Sequence, residues 1–289
     1  IDSLAGGIVG WSKRRLAKNE LDVGHGAVIR DCRNFGGVSG YGYSGGIVGV
    51  ASATTILDSR NEGWIQHFGN GGIVGRIVGD STQVSVINNC VNNGEIYPPS
   101  GRAGYSGGII GYVASGANVR ISKSVNNGLI KTSSYAGGII GGSAGFVDIG
   151  YTENKGVVAG ELYSGGFVGR AEKLLDIYNS KNKGELAGKH NGGFVGYSDT
   201  VGIVSIRASV NESLFTVSKS FKDSTRNGGV AAIGMGEWTV EDFVNKSDIS
   251  GMYAGGFFGW FRSFESYTGG KGWVKSSFKI RNSINEGNI

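Results

Sequence analysis

The sequence predicts an all-β fold, a parallel β-solenoid (β-helix) of about nine coils with loop insertions. Three observations carry that expectation. A Gly-Gly pair recurs nine times, an asparagine recurs nine times between or after the pairs, and two hydrophobic columns keep fixed offsets from that asparagine. Helical periodicity is not sustained anywhere in the chain.

The pairs begin at Gly6, Gly45, Gly71, Gly107, Gly137, Gly165, Gly192, Gly228 and Gly255, at intervals of 39, 26, 36, 30, 28, 27, 36 and 27 residues. The shorter intervals define the unit, and the longer ones are the same unit with insertions. Two apolar residues follow each pair, from Ile8-Val9 to Phe257-Phe258, and a glycine follows them except where Ala232 stands. Short β-branched runs between glycines read as strands.

The asparagines are Asn34, Asn61, Asn92, Asn126, Asn154, Asn182, Asn211, Asn245 and Asn285. A glycine stands two residues later, with Ser213 and Ser247 as exceptions. Five residues earlier the column runs Ile29, Ile56, Ile87, Ile121, Ile149, Ile177, Ile206, Val240 and Ile280. Four residues later it runs Val38, Ile65, Ile96, Ile130, Val158, Leu186, Phe215, Ile249 and Ile289. A unit this short cannot bury its own apolar face, so stacked copies must share one continuous core. Strand spacing of about 4.8 Å makes nine coils a rod roughly 40 Å long.

Composition narrows the class further. The 289 residues include 55 Gly and only 2 Pro, without the every-third-residue glycine of collagen. With 39% hydrophobic and 18% charged residues, the chain is too apolar for a disordered linker. Its +5 charge is scattered, which argues against nucleic acid as a partner. No apolar run reaches the length of a membrane span, so direct membrane insertion is not expected.

The run Gly-Gly-Ile-Val-Gly, followed by an Ile-rich strand and an Asn-x-Gly turn, resembles the GLUG-motif repeats. The resemblance covers essentially the whole chain apart from the insertions. Ala231-Ala232, Ser213 and Ser247 depart from it, which makes the seventh and eighth copies the least regular. Such repeats occur in large secreted or surface-attached proteins, among them adhesin-like proteins and the non-catalytic parts of some immunoglobulin A peptidases. The resemblance implies an extracellular or cell-surface location and a stalk or adhesion scaffold, with a protein partner, self-association or a surface glycan as its contact. A carbohydrate-binding or carbohydrate-active β-helix, lyase- or glycosidase-like, is the rival. Residues 1–289 are expected to form one solenoid domain within a larger protein, since no polar cap closes either end.

Candidate sites are sparse. The asparagine column reads as a structural ladder. Tyr43, Tyr105, Tyr135, Tyr163 and Tyr253 share one repeat position, where rings could grip a glycan or stack on each other. His25, His67 and His190 form no metal-binding pair, and Glu237, Glu241 and Asp242 beside Trp238 are the best acidic group. No base, nucleophile, metal or cofactor loop converges, so the expectation is a chain that is not an enzyme and uses no cofactor. Function is expected in the insertions, at about 11–26, 97–104, 216–226 and 260–276. The last offers Trp260, Phe261, Arg262, Phe264, Tyr267 and Trp273 as partner-binding residues. Asn211 and Asn245 begin N-glycosylation sequons, which could be used only if those side chains point outward.

Cys32 and Cys90 occupy a position held elsewhere by Ser59, Ser124, Thr152, Ser180, Ser209 and Ser283. Two coils separate them, about 9.6 Å, which is beyond disulfide reach. Both thiols should therefore be free, and Cys32→Ser and Cys90→Ser should each melt within a few degrees of the parent. A Cys32–Cys90 disulfide in non-reducing mass spectrometry would mean that the stacking order is wrong.

Overall fold

A computed structural model describes residues 4–12, 26–66, 69–97, 104–216, 224–262, 265–267 and 273–289. One coil runs through Tyr135–Gly137, Ile140–Ser143, Phe146–Gly150 and Glu153–Asn154, then through Val158–Gly160. Each of the first four strands stacks on its equivalents into a nine-stranded sheet, giving a first, second, third and fourth sheet. The fifth side is interrupted, with a two-stranded and a four-stranded sheet joined by bridges through Ile96. Neighbouring coils pair in parallel, as the expected solenoid requires.

Register follows the repeat columns. Ile149 pairs with Ile121 and Ile177, Asn154 with Asn126 and Asn182, and Gly137 with Gly107 and Gly165. In the inner coils the residues of these columns are almost entirely removed from water, while end-coil members such as Ile29 and Ile289 are partly or largely exposed.

The asparagine column is a hydrogen-bonded ladder. Each Nδ2 donates to Oδ1 of the asparagine on the next coil, at 2.7–3.2 Å from Asn34 through to Asn285. In most coils the second hydrogen goes to the carbonyl two residues on, as from Asn154 to Gly156 at 3.3 Å. Both donors of a fully buried amide are thereby satisfied, as burial demands. The glycine pair sits across the coil from this ladder. A Cβ on Gly138 would lie 2.4 Å from Cγ of Asn154 and 2.2 Å from the Gly166 carbonyl, so only glycine fits there. Gly156, in the turn, is equally confined, since a Cβ there would lie 2.0 Å from the Gly128 carbonyl.

This contact corrects the expectation of one continuous core. The residues of a coil between Gly138 and Asn154 feed a large cluster that includes Ile139, Ile140, Val147 and Ile149. Those on the other side feed a separate, smaller cluster of Val38, Ile65, Ile96, Ile130, Ala136, Val158 and Leu186. The two hydrophobic columns found in the sequence therefore belong to different lobes, divided by glycine packed on asparagine.

Between the third and fourth sheets the chain turns through a left-handed residue in every coil: Asp31, Asp58, Asn89, Lys123, Tyr151, Asn179, Ala208, Asp242 and Asn282 have φ between 45° and 55°. Asn and Asp tolerate that region best, which suits six of the nine. The next residue is the Ser/Thr/Cys position. Ser180 Oγ donates to the Tyr178 carbonyl at 2.8 Å and accepts from the Thr152 backbone N at 3.2 Å. Cys90 follows the same pattern, its Sγ directed at the Asn88 carbonyl, and burial pushes its thiol up to about 12. Both cysteines are free. Phe243 takes this position in the eighth coil, where the residue after the glycine pair shrinks to Val230, and Phe243 packs on Phe194 at 5.2 Å.

Two insertion boundaries need correction. Trp11 and Ser12 belong to the second-sheet strand Val9–Ser12, and Trp260 and Phe261 to its equivalent Phe258–Phe261. Within the last insertion Glu265–Tyr267 pairs antiparallel with Trp273–Lys275. Residues 13–25, 98–103 and 217–223, most of the other insertions, lie outside the described residues.

Asn154→Ala would leave unpaired in the interior one Asn126 Nδ2 hydrogen and the lone pair of Asn182 Oδ1 that faces it, the other staying with the Gly184 N–H. At about 1–3 kcal/mol for each unpaired group, the loss should be about 2–6 kcal/mol in urea denaturation. Wild-type stability in this variant would mean that the ladder does not hold the coils.

Candidate functional site

Strand alternation turns Tyr135 outward while Ala136 faces the core. Repeated coil by coil, this builds an outer column on the first sheet: Tyr43, Gly69, Tyr105, Tyr135, Tyr163, His190, Arg226 and Tyr253. Beside it runs a second-sheet column of Trp11, Val50, Arg76, Tyr112, Gly142, Arg170, Tyr197, Ile233 and Trp260. The sequence reading found the first column and missed the second. Its signal was positional, since each member directly follows the glycine, or Ala232, that closes the Gly-Gly-x-x-Gly run.

The two columns interlock. Tyr105, Tyr135 and Tyr163 stack face to face at 5.3 and 5.2 Å, and Tyr163 meets His190 at 5.1 Å. Tyr112 reaches across to Tyr105 at 4.9 Å, and Tyr197 to Tyr163 at 5.3 Å. Gly142 makes room for this, because a Cβ there would come within 2.3 Å of the Tyr105 ring. Arg170 joins the columns: its guanidinium lies over Tyr135 and Tyr197, donates to the Tyr105 hydroxyl at 3.4 Å, and pairs with Asp199 at 3.1 Å and Glu172 at 3.2 Å. Burial raises the Tyr105, Tyr112, Tyr163 and Tyr197 phenols above their ordinary value, so they stay neutral donors.

The first column is broken at Gly69. Tyr43 leans over that glycine, whose Cβ would meet the ring at 2.3 Å, and Arg76 covers Tyr43 at 4.7 Å. A cleft of about 340 Å³ opens there, lined by Gly42, Tyr43, Gly69, Gly104, Tyr105, Ser134 and Tyr135.

The other sequence candidates are dispersed. Trp260 faces outward, stacked on Tyr253 at 5.9 Å and covered by Arg226 at 4.1 Å. Phe261 points to the opposite side and packs on Phe278 at 4.8 Å. The Arg262 backbone N donates to the Gly234 carbonyl at 2.9 Å. Tyr267 and Trp273 pair through their backbones in the antiparallel ribbon, and Phe264 lies outside the described residues. Glu237 and Glu241 stand on the outer face of one strand, about 13 Å apart along it, while Trp238 is buried and donates to the Met235 carbonyl at 2.9 Å. Among the described residues no His, Cys, Asp and Glu gather into a metal-binding group.

Both sequon asparagines are inside the ladder. Asn211 Nδ2 donates to Asn245 Oδ1 at 2.8 Å and to Ser247 Oγ at 2.9 Å, and Asn245 Nδ2 donates to Asn285 Oδ1 at 2.7 Å and to the Ser247 carbonyl at 3.2 Å. Each is fully buried. With every amide hydrogen engaged and no path to solvent, neither nitrogen can carry a glycan in this fold, so those two candidates are corrected.

No protein-family model matches the chain, and no curated protein matches it in sequence. The likeness to GLUG-motif repeats rests on the motif residues themselves. Among solved structures the chain is similar to a crystal structure from Bacteroides ovatus, of a protein provisionally designated an immunoglobulin A1 protease. Identity is 18% over 90% of this chain and 67% of that one, with a TM-score of 0.44. The expectation that the chain is not an enzyme is corrected by this comparison, because a protein similar to it carries a protease designation. That designation is the Bacteroides protein's own, and at this distance it assigns no chemistry here.

His190 supplies a pH test of the aromatic face. Burial first, then the Arg226 guanidinium, holds its imidazole down to about 4, and the Arg226 backbone N donates to its Nδ1 at 3.2 Å. The native state resists a proton that the unfolded chain accepts near 6.5. Stability should thus be full above about pH 6.5 and fall as the pH drops through about 4. His190→Tyr, which restores the column residue, should remove that component from pH-dependent melting curves. An NMR titration placing His190 near 6.5 would contradict the assignment.

Proposed function

We propose that this chain is a stalk or adhesion scaffold within a larger secreted or cell-surface protein, of the kind formed by GLUG-motif repeats. The observation that carries the reading is the division of labour within each coil. The repeat-invariant residues are spent inside, on the asparagine ladder, the glycine contacts and the two apolar lobes. Variety is confined to the outside, where two interlocked columns of rings and guanidinium groups run along one side of the stack. A stacked β-architecture gives length and stiffness from few residue types, which suits a spacer. The outer side is free to change without disturbing the stack, which suits recognition.

Contact with a protein partner or a second copy is proposed at the stretch from Trp260 to Trp273. Trp260 there presents an outward indole supported by Tyr253 and Arg226. Large aromatic anchors beside cations are the residues that dominate interfaces.

Immuno-electron microscopy with an antibody raised against this chain tests the reading. Label on the outside of intact cells, displaced from the envelope, is the expected result. Label confined to the cell interior would sink it.

A further inference from the structure

We propose that the cleft opened by Gly69 between Tyr43 and Tyr105 is a binding subsite for a neutral pyranose sugar. The inference goes beyond the scaffold reading and does not depend on it, since sugar binding and surface location are measured separately.

The tyrosine column is self-saturating wherever it is continuous. Tyr105, Tyr135 and Tyr163 cover one another's faces at about the coil spacing, leaving no room for a guest ring between them. Gly69 removes one ring from that series. Tyr43 and Tyr105 are then two coils apart, about 9.6 Å at strand spacing, with a glycine between. Tyr43 tilts into part of the gap, Tyr112 meets both Tyr43 at 6.4 Å and Tyr105 at 4.9 Å, and a cleft of about 340 Å³ opens beside these rings. That size is at the small end for ligand sites, which begin at about 300 Å³, and suits one or two sugar rings better than a larger guest.

The lining selects the chemistry. Half-buried Tyr43 and Tyr105 offer apolar ring surface with a hydroxyl at the edge of each. Tyr135, covered on both faces by its neighbours, offers a ring edge and its hydroxyl, and Ser134 adds another hydroxyl. Among the described residues no charged side chain lines the cleft. A pyranose ring matches both features, presenting C–H groups on its face and hydroxyls around its rim. Arg76 lies against the Tyr43 ring and Arg170 is held at the Tyr105 hydroxyl, so among the described residues a phosphorylated ligand would find no cation in the lining itself. A peptide strand would find no free sheet edge, because Gly69–Gly71 is already paired with Tyr43–Gly45 on one side and Tyr105–Gly107 on the other.

The discriminating controls come from the same column. Tyr163 stands in its uninterrupted part and does not line the cleft. The test is isothermal titration and a solid-phase array using a panel of neutral di- to tetrasaccharides built on glucose, galactose, mannose or N-acetylglucosamine. At least one member should bind the wild-type chain. Tyr43→Ala and Tyr105→Ala should each weaken it about tenfold or more, while Tyr163→Ala should leave it unchanged. Tyr105→Phe, which keeps the ring, should bind within a fewfold of wild type and guards against misfolding of the alanine variants. Gly69→Tyr, which refills the column, should abolish binding with the circular dichroism spectrum intact. No binding by any member of the panel would overturn the proposal. So would binding indifferent to Tyr43→Ala and Tyr105→Ala, or binding lost equally in Tyr163→Ala.

Discussion

Glycine packed against a hydrogen-bonded asparagine is the contact on which the rest of the structure depends. Gly138 and its equivalents bring the backbone so close to the carboxamide column that no side chain can intervene. The carboxamides fill that space only because each is bonded to the coils on either side and to its own turn. An isolated buried amide there would be costly, whereas a ladder satisfies every donor. Where the turn glycine is replaced, the ladder adjusts. Ser213 Oγ donates to Asn211 Oδ1 at 2.8 Å, Asn182 redirects one hydrogen to the Gly193 carbonyl, and the Asn182–Asn211 bond lengthens to 3.2 Å.

That contact also dictates where the chain can vary. It pinches the interior into two lobes, so each coil closes around two small cores. The longer repeats place their extra residues between Ser12 and Val28, Ile77 and Val84, Ile96 and Tyr105, Phe215 and Arg226, and Phe261 and Ser277. These are only two kinds of corner, between second and third sheets and between the fifth side and the first sheet. Neither lies at the glycine–asparagine crossing. The outer face obeys a related rule of alternating bulk. Gly69 and Gly142 admit the leaning rings of Tyr43 and Tyr105, and Arg170 ties the two columns where rings are densest. Its ion pairs with Glu172 and Asp199 are partly exposed, so geometry rather than Coulomb energy is their main contribution.

Much of this was legible in the sequence because residue identity recurs at fixed offsets. The asparagine, the glycine pair and the Ile149 and Val158 columns all stack as their spacing predicts. What escaped was defined by conformation or by contact. The left-handed corner is invisible because Lys123, Tyr151 and Ala208 adopt it alongside Asp and Asn, so no residue type marks it. The two lobes escaped because the division depends on how closely Gly138 approaches Asn154, which spacing alone does not reveal. The second outer column escaped because Trp, Val, Arg, Tyr and Gly alternate along it. Trp260 reads as part of an insertion for the same reason, although its register partner is Ile233.

The central claim is that the interior carboxamides are locked in a cooperative ladder, and their own hydrogens report on it most directly. Side-chain amide exchange by NMR should show the Asn92, Asn126, Asn154 and Asn182 Nδ2 hydrogens protected to the same extent as neighbouring strand amides, opening only with the stack. Exchange of these hydrogens at the rate of an exposed asparagine, while the strand amides stay protected, would contradict the account.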